Sequence, residues 1–181
     1  TTTITGTTSG VSTLDTTSSN YALGSGKLDI ASAGTLTANG STITFTGTSG
    51  TLFTRTGTFT AGTSTVVFNG NGAPTLSSGT ITFYNLQLTP TITVARIYTL
   101  GSGALTISNN FDINPTAASA LALTVNIGAT ISVTGTTTIT RTTSATSNLS
   151  TTATNYALST GVLSIASGGT LTANGSTITI S

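Results

Sequence analysis

The sequence predicts an all-β fold, a right-handed parallel β-solenoid (β-helix) with coils of about 22–23 residues. Three observations predict it. Apolar and hydroxyl residues alternate along the chain, the sequence repeats itself at two periods, and charged residues are scarce.

The composition is unusual for a soluble domain and favours strands. Of 181 residues, 49 are Thr and 23 are Ser, and only 4% are charged, against about 25% in an average globular domain. The apolar residues are mostly β-branched or aromatic, which suits a pleated, half-buried surface. The chain has no His, Cys, Met or Trp, so disulfides and thiolate metal sites are excluded.

A long repeat is the first internal similarity. Residues 1–46 align without a gap on residues 136–181, at an offset of 135, with 32 of 46 positions identical. The clearest stretch reads NYALGSGKLDIASAGTLTANGSTIT from Asn20 and NYALSTGVLSIASGGTLTANGSTIT from Asn155. Shared Thr content does not explain these matches, because they include Tyr, Asn and several Leu and Ile.

The domain organisation follows from this repeat. We interpret residues 1–135 as one full long repeat and residues 136–181 as the start of the next, which residues 1–46 match. We expect a single continuous β domain over residues 1–181. Because neither end carries an atypical capping segment, we expect the natural polypeptide to continue in both directions.

A shorter repeat lies inside the long one. GTLTANGSTITFTG (Gly34–Gly47) superposes without a gap on GTFTAGTSTVVFNG (Gly57–Gly70), an offset of 23. Comparable segments start at Gly79, Gly103, Gly128 and Gly169. If the last interval, of 41 residues, holds two units, each long repeat contains six coils of about 22.5 residues.

Alternation with period 2 predicts which side chains face the core. In Thr42-Ile43-Thr44-Phe45 the apolar residues point inward and Thr outward. Stacked coils then place Ile43 near Val66. The predicted core residues are Leu28, Ile30, Leu36, Ile43, Phe45, Leu52, Phe59, Val66, Phe68, Ile81, Phe83, Leu105, Ile107, Ile131 and Val133. No stretch has the pattern of a helix.

Tandem β-sandwich domains are the alternative architecture, with the 135-residue repeat as one domain. The solenoid is favoured because the short repeat is close to one coil in length. Stacked coils place like residues on like. Hydroxyls and amides hydrogen-bond in such stacks whereas equal charges repel, which accounts for the low charge.

Two segments carry a resemblance. GTFTAGTSTVVFNGNG (Gly57–Gly72) and TFYNLQLTP (Thr82–Pro90) resemble the Thr/Gly-rich tandem repeats of giant secreted bacterial cell-surface proteins of the adhesin-like kind. The resemblance implies a cell-surface or secreted filament, a β-solenoid fold and no catalytic residues.

The residues offer no constellation for catalysis, so we predict that the chain is not an enzyme and assign it no catalytic, cofactor-binding or metal-binding residue. Asp15, Asp29 and Asp112 are its only carboxylates. Asp15 and Asp29 are the candidates for a pair that cleaves polysaccharide, but the second copy has Ser150 and Ser164 at these positions. A site used in every repeat would keep its charges. The sequence has no run of carboxylates of the kind that binds calcium, so no calcium site is predicted.

The tyrosines suggest a second kind of site. Tyr21, Tyr84, Tyr98 and Tyr156 would stack on sugar rings if they shared a surface, but we favour their being core or coil-stacking residues. Three segments match the N-glycosylation pattern: Asn39-Gly-Ser41, Asn148-Leu-Ser150 and Asn174-Gly-Ser176.

These observations predict a structural repeat module of a long extracellular filament, stalk or sheath at a bacterial surface, whose partners are other copies of itself. The alternative is an adhesin or glycan-binding module that contacts cell-surface glycans. A polysaccharide-active β-solenoid enzyme is the third hypothesis and the least favoured. No nucleic-acid partner is expected because the four basic residues are scattered. No membrane span is expected in this segment because no apolar run approaches about 20 residues.

Overall fold

The computed structural model describes residues 1–7 and 9–181, and over these residues the chain winds as a parallel β-solenoid of about 7 turns. The described residues form 23 strands and no helix. All pairings between these strands are parallel and join residues 20 to 27 positions apart. Tandem sandwiches need antiparallel partners, so that alternative is excluded.

Three strands make up most coils. The first coil holds β1 (Thr2–Ile4), β2 (Ser12–Asp15) and β3 (Leu23–Ser25); the second holds β4 (Leu28–Ile30), β5 (Gly34–Thr37) and β6 (Thr42–Phe45). The third holds β7 (Thr51–Arg55), β8 (Thr58–Thr60) and β9 (Thr65–Phe68); the fourth holds β10 (Thr75–Ser77), β11 (Ile81–Phe83) and β12 (Asn85–Leu88). The fifth holds β13 (Arg96–Thr99), β14 (Leu105–Ile107) and β15 (Phe111–Ile113).

The remaining coils have longer strands. A short strand, β16 (Thr116–Ala117), precedes the sixth coil, which holds β17 (Ala122–Asn126) and β18 (Ile131–Ile139). Another, β19 (Thr142–Thr143), pairs with β16 and precedes the seventh coil, with β20 (Thr146–Ser150) and β21 (Leu158–Ile165). The eighth coil is partial and holds β22 (Gly169–Thr172) and β23 (Ile178–Ile180).

The strands stack into three faces, numbered by their order within a coil. Face 1 is one sheet of eight strands from β1 to β22. Face 2 consists of two sheets, one from β2 to β8 and one from β11 to β23, and β8 is not paired with β11. Face 3 runs from β3 to β21. Strands β18 and β21 each extend over faces 2 and 3. They pair with each other on both faces, and the register shifts at the corner, between Val133 and Thr136 of β18. We call the three corners, where two faces meet, edges.

The predicted coil register is confirmed in the second and third coils. Ile43 pairs with Val66, and Phe45 pairs with Phe68. The rings of Phe45 and Phe68 are stacked with centroids 4.7 Å apart. The fold is therefore the predicted solenoid, with coils of about 24 residues, slightly longer than the short repeat.

The alternation also identifies the core. All of the predicted core residues are buried except Phe59, which is half-buried with its ring edge-on to Phe53 at 5.2 Å. Thr42 is exposed and Thr44 half-buried. The alternation fails in β7, where Leu52 and Phe53 are consecutive and both buried.

The pairings recur at the offset of the long repeat. Three pairs of the first copy have the same partners 135 residues later: Ile4–Ile30 and Ile139–Ile165, Leu14–Leu36 and Leu149–Leu171, Leu23–Ile43 and Leu158–Ile178. The two copies thus share their strand register, pair by pair.

The prediction of six coils per long repeat is wrong. Gly128 precedes a strand on face 2, but Gly169 opens β22 on face 1. The 41-residue interval therefore spans one and two-thirds coils, and the long repeat spans five and two-thirds. The GTLT pattern indicates a glycine at a corner followed by an alternating strand. Such a segment occurs on face 2 at Gly34 and on face 1 at Gly169, so the pattern alone does not give the face.

In the second and third coils the edge between faces 1 and 2 requires glycine. A Cβ at Gly57 would lie 2.3 Å from the Gly34 carbonyl oxygen and 2.4 Å from that of Ala31. A Cβ at Gly34 would lie 2.3 Å from the Ile4 carbonyl oxygen. Successive coils approach so closely here that no side chain fits between their backbones.

We predict that Gly57→Ala destabilises the fold by about 1–3 kcal/mol, because the added methyl group forces two coils apart. Gly24→Ala is the matched control, since a Cβ at Gly24 meets nothing within 4 Å. Urea unfolding of both variants measures the difference. Equal midpoints would contradict the packing role of this edge.

Candidate functional site

A loop between β2 and β3 is the most elaborate surface feature of the first copy. It comprises residues 16–21. The buried Thr16 hydroxyl donates to the Ala38 carbonyl oxygen at 2.8 Å, and the Tyr21 amide donates to the Thr16 carbonyl oxygen at 3.0 Å. The Asn20 side-chain oxygen accepts the Gly40 amide of the next coil at 2.7 Å. The loop is thus attached to the coil above it by side-chain hydrogen bonds.

The same loop recurs in residues 151–156. Thr151 donates to the Ala173 carbonyl oxygen, at 2.6 Å, and Asn155 accepts the Gly175 amide, at 2.8 Å. Asn20 and Asn155 have φ of 55° and 59°, in the left-handed region that Asn tolerates better than most residues. We call residues 16–21 and 151–156 the recurring loop. The sequence signal for it was the shared TT-x-x-NY.

The tyrosine of the recurring loop differs in exposure between the copies. Tyr21 is 68% exposed, and Tyr156 is half-buried against the core. Tyr98 is fully buried and its hydroxyl donates to the Gly70 carbonyl oxygen. The prediction that the tyrosines belong to the core is therefore right for Tyr98 and wrong for Tyr21.

Ladders of amides and hydroxyls connect the coils at the surface. Asn109 donates to the Asn85 side-chain oxygen at 2.9 Å, and Asn85 donates to the Thr65 hydroxyl at 3.3 Å. Asn110 in turn accepts the Thr136 amide at 3.0 Å. These contacts extend from the third coil to the sixth, as expected if like groups stack.

The charged side chains take part in similar contacts with neutral groups. Asp15 accepts the Thr17 amide and the Asn39 side-chain amide, each at 2.7 Å, and Asp29 accepts the Thr54 hydroxyl at 2.7 Å. Asp15 is on face 2 and Asp29 on face 1. The two carboxylates are thus used separately, as hydrogen-bond acceptors within the stack.

The glycosylation motifs lie in structured positions. The Asn39 amide donates to Asp15 and Thr16, and Ser41 is 1% exposed. The Asn148 side chain accepts the Thr172 hydroxyl at 2.9 Å. Modification at either Asn would therefore replace a contact between coils.

Within residues 1–7 and 9–181 there is no pocket, and no three His, Cys, Asp or Glu side chains lie together as metal ligands. The same residues include no helix long and apolar enough to cross a membrane. No protein-family model, curated protein or solved structure matches the chain. What the described residues offer is a surface of ladders and recurring loops.

Tyr98 links stability to alkaline pH. Burial raises the pKa of its phenol well above the usual value of about 10, although the nearby Arg96 opposes the shift. The folded state therefore holds this proton more tightly than the unfolded state. Stability is intact below the unfolded pKa and falls as pH rises beyond it.

We predict that Tyr98→Phe flattens this alkaline loss. At neutral pH the variant should lose about 0.5–1.5 kcal/mol with its hydrogen bond. Above about pH 10 the gap between variant and wild type should narrow, since only the wild type must retain the proton. Urea unfolding from about pH 8 to about pH 12 measures both effects. A constant gap at every pH would contradict the burial argument.

We also predict a local effect of Asn20→Ala. The Gly40 amide loses its acceptor, so its hydrogen exchange should accelerate about fivefold or more, for about 1 kcal/mol of local stability. Asn20→Asp keeps an acceptor and is the matched control. The Gly175 amide of the second copy serves as the internal reference. Unchanged hydrogen exchange at the Gly40 amide in Asn20→Ala would show that the bond to Asn20 does not stabilise the contact between these coils.

Proposed function

We propose that the chain is a structural repeat module of a long extracellular filament, stalk or sheath at a bacterial surface. One observation carries the proposal: strand register and the recurring loop repeat at an offset of 135 residues, whereas charged positions do not. Residues retained between copies hold coils together. Residues that differ, such as Asp29 and Ser164, point outward from the stack.

Two apolar side chains of the last coils are exposed, Ile165 in the seventh coil and Ile180 in the eighth. Ile165 is 48% exposed and Ile180 60% exposed, whereas Ile30 and Phe45, their equivalents one repeat earlier, are 0% and 1% exposed. Ile30 and Phe45 are covered by the third coil. A further coil of the same repeat would cover Ile165 and Ile180 in the same way, with other copies of the repeat as the partner.

The outer chemistry suits close stacking outside a cell. Neutral hydroxyls and amides dominate, so stacked units experience little charge repulsion. Stability of such a stack is a sum over neighbouring repeats, which allows length to grow without a change of design. The resemblance to repeats of secreted surface proteins favours the cell surface as its location.

An adhesin or glycan-binding module is the second proposal, and the exposed Tyr21 favours it, because aromatic rings stack on sugars. Binding to a glycan array that is lost in Tyr21→Ala, with the fold intact, would support this function. The enzyme alternative has no comparable observation in its favour.

A coil-extension experiment tests the structural function. A copy of residues 47–72 is added after Ser181, which is equivalent to Thr46. We expect a higher urea midpoint and slower hydrogen exchange at Ile165 and Ile180, because the added strands pair as β7, β8 and β9 pair with the second coil.

The control for this experiment is an extension with the same composition in scrambled order. A midpoint raised equally by both extensions, or by neither, would contradict stacking of like coils. The function itself further requires that polypeptides of two and three long repeats form rods, each repeat adding about 27 Å at about 4.8 Å per coil. Compact particles in electron micrographs would overturn it.

A further inference from the structure

The two copies of the recurring loop lie on different edges of the solenoid. Residues 16–21 join β2 to β3 and therefore lie on the edge between faces 2 and 3. Residues 151–156 join β20 to β21 and therefore lie on the edge between faces 1 and 2. Equivalent residues thus point in different directions from the axis.

The displacement applies to the whole repeat. Strand β1 is on face 1, whereas its equivalent, the last part of β18, is on face 3. Strand β2 is on face 2, and its equivalent, β20, is on face 1. Every element of the second copy lies one face earlier. The short strands β16 and β19 are left out of the count, and β18 and β21 count twice because each occupies two faces. Equivalent strands of the two copies are then 17 face positions apart, and with three faces to a coil this is five and two-thirds coils.

We infer that each long repeat turns the surface pattern by one face, a third of a turn, so that successive repeats carry the recurring loop to each of the three edges in order. The pattern closes after three repeats and 17 coils, about 82 Å along the axis at about 4.8 Å per coil. Its extension to many repeats rests on the proposed function, but the turn itself is contained in residues 1–181.

The turn defines the interaction surface of a longer fibre. The recurring loop is presented on all sides of the fibre, and any one edge carries it only once in every three repeats. Such a surface fits partners that surround the fibre. A flat array of ligands on one side would meet a third of the loops.

Distances between paired spin labels test the turn in the 181-residue chain. The chain has no cysteine, so two introduced cysteines are labelled without background. Thr154→Cys in the second recurring loop is combined with Thr56→Cys or Thr63→Cys. Thr56 and Thr63 are both exposed in the third coil, Thr56 on the edge between faces 1 and 2 and Thr63 on the edge between faces 2 and 3.

We expect Thr154 to be nearer Thr56, about 19 Å away across four coils, than Thr63, about 25 Å away when a face about five residues wide is included. The reverse preference is expected of the first copy. Ser19→Cys should be nearer Thr134→Cys, about 24 Å away on its own edge, than Thr130→Cys, about 29 Å away at the same level. Ser19, Thr130 and Thr134 are exposed.

The decisive result is a crossed preference, in which Thr154 is nearer the label between faces 1 and 2 and Ser19 is nearer the label between faces 2 and 3. If Thr154 is nearer Thr63 than Thr56, equivalent loops share an edge and the turn is wrong. Electron micrographs of a three-repeat polypeptide with gold on each recurring loop separate this failure from that of the proposed function. Rods with gold in one line overturn the turn alone, whereas the absence of rods with the crossed preference intact overturns the filament.

Discussion

Parallel, in-register stacking of coils is the constraint on which the rest of the structure depends. Each paired strand residue lies on its counterpart in the neighbouring coil, as Ile43 does on Val66 and Leu86 on Phe111. Whatever occupies a position therefore meets a neighbour in the same environment. Apolar side chains form continuous columns inside, amides and hydroxyls form ladders outside, and glycine is required at edges where backbones touch.

This constraint explains which residues differ between the two copies. A charged group is accommodated where it has a neutral partner, as Asp29 has in Thr54, and the second copy carries the uncharged Ser164 at this position. The hydrogen bond from Gly40 to Asn20 is different, because it joins one coil to the next and is kept between Gly175 and Asn155. Selection for stacking alone would leave this pattern.

The sequence predicted what is local and repeated. Alternation and an ungapped 23-residue offset were enough to identify the core columns and the register of Phe45 on Phe68. The sequence did not predict the face on which each strand lies, because the corners between strands differ in length. Paired Leu23 and Ile43 are 20 residues apart, whereas paired Ile97 and Thr124 are 27 apart. The recurring loop was missed as a unit, because its left-handed residues break the alternation from which strands are recognised.

The neutral ladders have a consequence for the medium in which the molecule works. Dissolved salt screens interactions between charges over about 10 Å at 0.1 M, but the amide ladder of Asn85 and Asn109 contains no charge. Such neutral contacts between coils depend little on ionic strength, unlike those that the carboxylates of Asp15 and Asp29 make with the next coil. Fresh water and brine should therefore leave the amide ladder equally intact.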